Sequence, residues 1–238
     1  MGHGGLNLPT NVPGNQYVTF GGSKASKSRG VGRSLDWYLE RFEPDGLRYA
    51  IAALLPEHND TDLSDDEIAR RVNEELVATW GNLVNRVLAM TNKHFGGTIP
   101  SPGDLDDTDR ALLDHVDGAL TEAAAQFEKV ELRGALRAGM AAASQANVYL
   151  NETAPWSTAK TDLVRTATTL HTALSAINGI KTILAPFLPF TSQRLHEMLG
   201  QEGMLAEGTW ERGLLEPGTP LGEQAPLFSK VDPETLEE

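Results

Sequence analysis

Ser64-Asp65-Asp66-Glu67-Ile68-Ala69-Arg70-Arg71-Val72-Asn73-Glu74-Glu75-Leu76-Val77-Ala78-Thr79-Trp80-Gly81-Asn82-Leu83-Val84-Asn85-Arg86-Val87 is the stretch that decides the fold. Its apolar residues Ile68, Val72, Leu76, Trp80, Leu83 and Val87 recur at three- and four-residue steps, and Met90 continues the series. That spacing predicts one long amphipathic helix reaching about residue 94, with Gly96-Gly97 ending it. Ser64 and Glu67 read as a capping box, and the acids of the first turn suit the positive end of the helix dipole.

Downstream, a polar acidic loop over 100–107 leads into further helical patterns at about 108–129 and 132–151. Pro155 interrupts the pattern, which resumes at about 160–185 until Pro186 and Pro189 break it, and a last helix covers about 192–199. Long amphipathic helices with short connections predict a mainly α protein built on an antiparallel helical bundle. Upstream, Leu35, Trp37, Tyr38, Leu39 and Phe42 form a short apolar helix; Pro44 opens another that runs until Pro56. Residues 16–20 alternate like a short strand, and a loop rich in Gly, Ser and Lys follows at once. The expected units are 1–63, 64–199 for the bundle, and an extended, Gly/Pro/Glu-rich tail over 200–238.

The composition, 40% hydrophobic and 22% charged over 238 residues, describes a chain able to bury a core. With no cysteine there are no disulfides or thiolate metal sites. No apolar run has the length of a membrane span, so no membrane partner is expected. The six histidines are scattered without metal-ligand spacing, and no metal site is expected. The net charge of −13 argues against broad polyanion binding. Residues 1–34, however, hold Lys24, Lys27, Arg29 and Arg33 and no acid, so any such contact is local.

Three constellations could carry chemistry. Lys24-Ala25-Ser26-Lys27-Ser28 places two ammonium groups among small residues that let a backbone approach a phosphate. Asn82 and Arg86 stand four apart on one helical face and offer an amide and a planar fork to the edge of an unstacked base. Pro155 fixes a turn that orients Trp156, a ring on which a base could stack. Taken singly, each has an ordinary reading: a solvated loop, a solvated helix face and a core-filling indole.

Together they resemble one family. Lys24-Ala25-Ser26-Lys27-Ser28 is similar to the Lys-Met-Ser-Lys-Ser loop of class I aminoacyl-tRNA synthetases, with Ala25 where the family has Met or a larger apolar residue. The Asn82/Arg86 face and the Ala154-Pro155-Trp156 turn resemble the anticodon-binding bundle of the methionyl-tRNA synthetases. Phe42-Glu43-Pro44-Asp45 with Leu47-Arg48-Tyr49, Asp60-Thr61-Asp62-Leu63, Pro186-Phe187-Leu188-Pro189 and Pro226-Leu227-Phe228 extend the likeness along the chain.

The resemblance implies methionine–tRNA ligase activity in the cytoplasm, with ATP (Mg-dependent) as co-substrate and methionine tRNA as partner. It implies that Lys24 and Lys27 act in catalysis, and that Lys24, Ser26, Lys27 and Ser28 hold ATP phosphates. It further implies that Asn82, Arg86, Lys93, Pro155 and Trp156 meet the CAU anticodon. The sequence holds no His-Ile-Gly-His-type motif and no strand–helix series ahead of the lysine loop. It therefore reads as the C-terminal part of such an enzyme, inactive alone, with methionine and ATP bound only together with a catalytic domain. A piece of a longer gene, a split enzyme completed in trans by an N-terminal half, and a stand-alone tRNA-binding module all fit. So does a related class I synthetase for valine, isoleucine or cysteine.

Overall fold

A small sheet and a helical bundle make up the computed structural model, which describes residue 5, residues 7–24 and residues 32–236. Strands β1 (Val18–Phe20) and β2 (Ser23–Lys24) form a hairpin in which Phe20 pairs with Ser23. Gly21 and Gly22 link them with φ of +55° and +73°, the left-handed pair that a tight two-residue hairpin turn requires. On the other side of β1 lies β3 (Thr61–Asp62), parallel to it. The strand expected over 16–20 is shorter because Gln16 N–H bonds the Pro56 carbonyl and Tyr17 N–H bonds the Asp60 carboxylate, off the ladder. Two residues show no period, so β3 was invisible to sequence patterning.

Helix α1 (Leu35–Arg41) is capped by Ser34, and α2 (Pro44–Ala53) starts on Pro44. The long helix expected from Ser64 exists, in three parts: α3 (Asp65–Arg70), a π segment (Arg71–Gly81) and α4 (Asn82–Phe95). In the π segment the hydrogen bonds step five residues, as from Asn82 N–H to the Val77 carbonyl. The apolar spacing accounts for it. Ile68, Val72, Leu76 and Trp80 recur strictly every four residues, and in an α-helix each such step overshoots the full turn by about 40°. A wider helix brings all four onto the buried side, where each is at most 3% exposed. The capping box is only half formed. Ser64 accepts from Glu67 N–H, but the Glu67 carboxylate turns to Arg70 and Arg71, at 2.7 and 2.8 Å, because two guanidiniums outbid one backbone N–H.

Next come α5 (Asp107–Glu128), α6 (Leu132–Thr153), the single turn α7 (Pro155–Thr158), α8 (Leu163–Leu184) and α9 (Pro189–Met198). Helix α8 starts at Leu163, later than the expected 160, because Asp162 caps it through Arg165 N–H. It is central, with nearly every residue from Thr166 to Leu184 buried. Its threonines tolerate burial by bonding backward, as Thr166 does to the Asp162 carbonyl and Thr168 to that of Val164. Close approach needs glycine at two crossings. A Cβ on Gly139 would lie 2.8 Å from Leu184, and one on Gly179 would lie 2.6 Å from Val116.

Asn147 on α6 bonds the Thr79 carbonyl, and Asn151, one turn on, meets Arg86 of α4. Helices α4 and α6 therefore run the same way. One end of the bundle, the tip, collects the start of α4, the end of α6 and the starts of α5 and α8.

The opposite end, the base, docks on α2. Asp45, buried, accepts from Thr191 N–H and Oγ at 2.7 and 2.8 Å, capping the start of α9 from another helix. Arg48 donates to the Pro186 and Phe187 carbonyls just past α8. Over its described residues the tail after α9 holds only short 3-10 turns at Leu205–Glu207 and Pro233–Leu236, and is pinned along the molecule. Residues 97–99 bond residues 218–221, Asn73 and Val231 exchange two hydrogen bonds, and Leu215, Leu227, Phe228 and Val231 are buried. Near the base, Lys181 is 1% exposed and meets Asn178 Oδ1, Gln201 Oε1 and His196 Nδ1. Burial pushes its ammonium down to about 7. Among the described residues no helix is long and apolar enough to cross a membrane.

Candidate nucleic-acid interface

The tip brings together residues that are far apart in the chain. Asn82 opens α4 and Arg86 follows one turn later, both directed away from Leu83 and Val87, which are fully buried. Helix α6 ends at Ala154, whose φ of 41° and ψ of 59° are left-handed, an uncommon conformation for a residue with a Cβ. That bend swings Pro155 into the core at the first position of α7 and leaves Trp156 43% exposed. The indole is thus a surface ring. Arg86 lies over it, its Cζ 5.3 Å from the ring centroid, within cation–π range. A 3.4 Å hydrogen bond from Arg86 Nη2 to Asn151 Oδ1 steadies the guanidinium from α6.

Asn82 spends one amide donor on the Ala78 carbonyl at 3.3 Å, which directs its Oδ1 and its second N–H toward solvent. Lys93 is exposed in the last turn of α4, about 10 Å along the axis from Arg86, where its charge complements the helix dipole. Asn82, Arg86, Pro155 and Trp156 therefore share one region, and Lys93 stands further along the same helix.

Beneath them lies a buried ionic cluster that motif reading missed. Asp109, 0% exposed, accepts four hydrogen bonds. Tyr149 Oη and Arg165 Nη2 donate to Oδ1 at 2.5 and 2.8 Å, and Arg165 Nη1 and Asp106 N–H donate to Oδ2 at 2.5 and 3.0 Å. Every lone pair of the carboxylate is used. Burial pushes the Asp109 carboxyl up, but Arg165, Tyr149 and the Asp106 N–H together hold it below the usual carboxylate range. The Tyr149 phenol is pushed up by burial and by Asp109. One trace existed in the sequence: Asp106 and Asp109 form the complete capping box that Ser64 and Glu67 do not.

At the other candidate site, Lys24 is exposed on β2, at an edge of the small sheet. The turn before it is fixed by Asp62, which accepts from Thr19 Oγ1 at 2.6 Å and Gly22 N–H at 2.8 Å; the same two bonds hold the Asp62 carboxyl below its ordinary value. Ser26, Lys27 and Ser28 lie outside the described residues. Among those described, Glu57, His58 and Glu131 gather ligand atoms within 4.8 Å of one another at the base, a juxtaposition of residues 73 apart that spacing could not reveal.

Residues 1–88 match the family described as "tRNA synthetases class I (M)", and residues 99–238 match "Anticodon binding domain of methionyl tRNA ligase". The chain is 40% identical to a methionine–tRNA ligase of Roseiflexus sp. (strain RS-1), over 98% of its own length and 43% of that protein. It is 40% identical to the one from Thermobifida fusca (strain YX), over 99% and 44%. A structure of Mycobacterium tuberculosis methionyl-tRNA synthetase in complex with methionyl-adenylate superposes with a TM-score of 0.86 at 29% identity, covering 94% of this chain and 45% of that one. The chain thus spans less than half the length of the curated relatives it matches.

Proposed function

The chain belongs to the methionyl-tRNA synthetase family, matching the end of the class I catalytic domain and the anticodon-binding domain, and from that premise we propose that its tip reads the CAU anticodon of methionine tRNA. The observation that carries this reading is Arg86 laid over a half-open Trp156, with Asn82 one turn away on the same helix. A single-stranded base needs a stacking ring and an edge reader, and here both stand within one contact of each other. Cytosine offers an amino donor and two acceptors on its pairing edge. Asn82 Oδ1 suits the donor, the Arg86 fork suits the acceptors, and Lys93 adds a phosphate contact.

Replacing Trp156 by Ala tests this. The affinity for a CAU anticodon stem-loop falls about 5- to 150-fold, as loss of about 1–3 kcal/mol of stacking requires. Equal affinity of the variant and the parent at matched salt sinks the reading. Exchanging CAU for another anticodon separates it from valine, isoleucine or cysteine specificity.

The lysine loop supports the second half of the proposal. When the methionine carboxylate attacks the α-phosphate of ATP, negative charge gathers on the departing pyrophosphate; ammonium groups at Lys24 and Lys27, with Ser26 and Ser28 beside them, meet that charge. Lys24 is exposed and the hairpin turn beside it is fixed by Asp62, which suits this work. Activation needs the remaining length of the relatives, of which this chain spans 43%. A module that binds tRNA without activating methionine is the second reading. Methionine-dependent ATP–pyrophosphate exchange, appearing when a catalytic half is supplied, decides for the enzyme; its absence beside intact RNA binding decides for the module.

A further inference from the structure

We propose that Asp109 is a positioning residue for the anticodon site, holding Trp156 in place from the buried side of the bundle without touching RNA. The inference rests on the anticodon reading of the tip. Trp156 lies on a short segment strung between two helices, α6 before it and α8 after it. Tyr149, on the last turns of α6, and Arg165, on the first turn of α8, both bond the one carboxylate of Asp109, on the first turn of α5. The segment carrying Trp156 is therefore a loop whose two ends are tied to a single atom group.

The loop itself needs such a tie. Its turn depends on Ala154 at a positive φ, a conformation that costs a residue with a Cβ and persists only where its surroundings enforce it. The remaining bonds of the segment are local. Ser157 and Thr158 N–H reach the Ala154 carbonyl, and the Thr158 and Thr166 hydroxyls meet at 2.8 Å. Besides Arg86, which lies over the Trp156 ring and bonds Asn151, the described side-chain ties from the flanks of this segment to another helix are the Asp109 bonds from Tyr149 and Arg165 and the Arg165–Asp106 contact at 3.2 Å. Asp109 also completes the capping box of α5 with Asp106, so the start of α5 and the positions of α6 and α8 share one anchor.

A double-mutant cycle tests the coupling, using the 238-residue chain, a CAU stem-loop and the variants Asp109→Asn, Trp156→Ala and both together. Asp109→Asn alone weakens binding about tenfold. In the Trp156→Ala background the same change costs nothing further, because Asp109 acts through that ring. A merely structural role gives losses that multiply, and that outcome overturns the proposal, as does unchanged affinity in Asp109→Asn. If Trp156→Ala alone leaves affinity intact, it is the anticodon reading that falls. Should Asp109→Asn not fold, Tyr149→Phe removes one tie without touching the charge; a two- to threefold loss that vanishes in the Trp156→Ala background is the expected result, and its persistence there refutes the coupling. With 5-fluorotryptophan labelling, the resonance missing from Trp156→Ala broadens or splits in either anchor variant while those of Trp37, Trp80 and Trp210 stay sharp. An unchanged Trp156 line counts against positioning.

Discussion

The two ends of the bundle are held by opposite means. At the base, α2 inserts a buried carboxylate under α9 and a guanidinium over the end of α8, and the tail seals the surface with Leu227, Phe228 and Val231. At the tip the surface side chains stay open and the rigidity sits one layer below, in Asp109, Tyr149 and Arg165. A base that only has to stay folded can bury its polar contacts completely. Under the anticodon reading proposed above, the tip must leave Asn82, Arg86 and Trp156 open to a base, and its main support lies beneath them. Stability and recognition thereby rest on separate groups of residues.

That separation can be broken from either side. The largest expected effect is at the base. Asp45→Ala strands the Thr191 N–H and hydroxyl in a buried site and lowers stability by about 3 kcal/mol. Urea unfolding reads the loss, while anticodon stem-loop affinity, measured where the variant is folded, stays within twofold. A parallel fall in both would show the ends to be coupled. Trp156→Ala is the reciprocal. It costs about 1–3 kcal/mol of RNA affinity and lowers stability less than Asp45→Ala does, since Trp156 is 43% exposed.

Lys181 gives a smaller, pH-dependent effect at the base. Its folded pKa lies below the unfolded value, so between about pH 7 and pH 10.5 the unfolded chain holds more protons and stability rises with pH. The slope from this one group is at most about 1.4 kcal/mol per pH unit. Unfolding at pH 7.5 and 9.5 should show the rise in the parent and a flatter response in Lys181→Met. Equal slopes would mean that the three acceptors around the ammonium cancel its burial. The smallest effect is a gain. A Cβ on Gly46 meets Val72 at an ordinary 3.6 Å, so Gly46→Ala in α2 stabilises by about 0.5–1 kcal/mol. A lowered thermal midpoint would reveal crowding there.

Much of this was legible in the chain. The helices of the bundle follow from apolar spacing, and Leu83 and Val87 are buried where their period puts them. Asn82 and Arg86 share a face because four residues separate them. Gln16 and Tyr17 looked like strand and are not, since alternation says nothing about which partner their N–H groups find. The π segment was written into the strict four-residue recurrence from Ile68 to Trp80, yet a helix reading that accepts steps of three or four passes over it. His58 shows the same limit, because its carboxylate neighbour Glu131 comes from another element.

By itself the sequence determined what depends on neighbours within a turn or two: where helices run, which face is apolar, and which side chains could read a base. The tertiary structure decided what depends on residues 26 to 146 positions apart: the Tyr49–Glu75 contact, the Asp109 anchor, and the capping of α9 by Asp45. The reason is physical. A helix's period is imposed by its own backbone and leaves a local record in residue spacing. A buried carboxylate is satisfied by whatever donors packing brings to it, and the order of residues along the chain keeps no mark of that meeting.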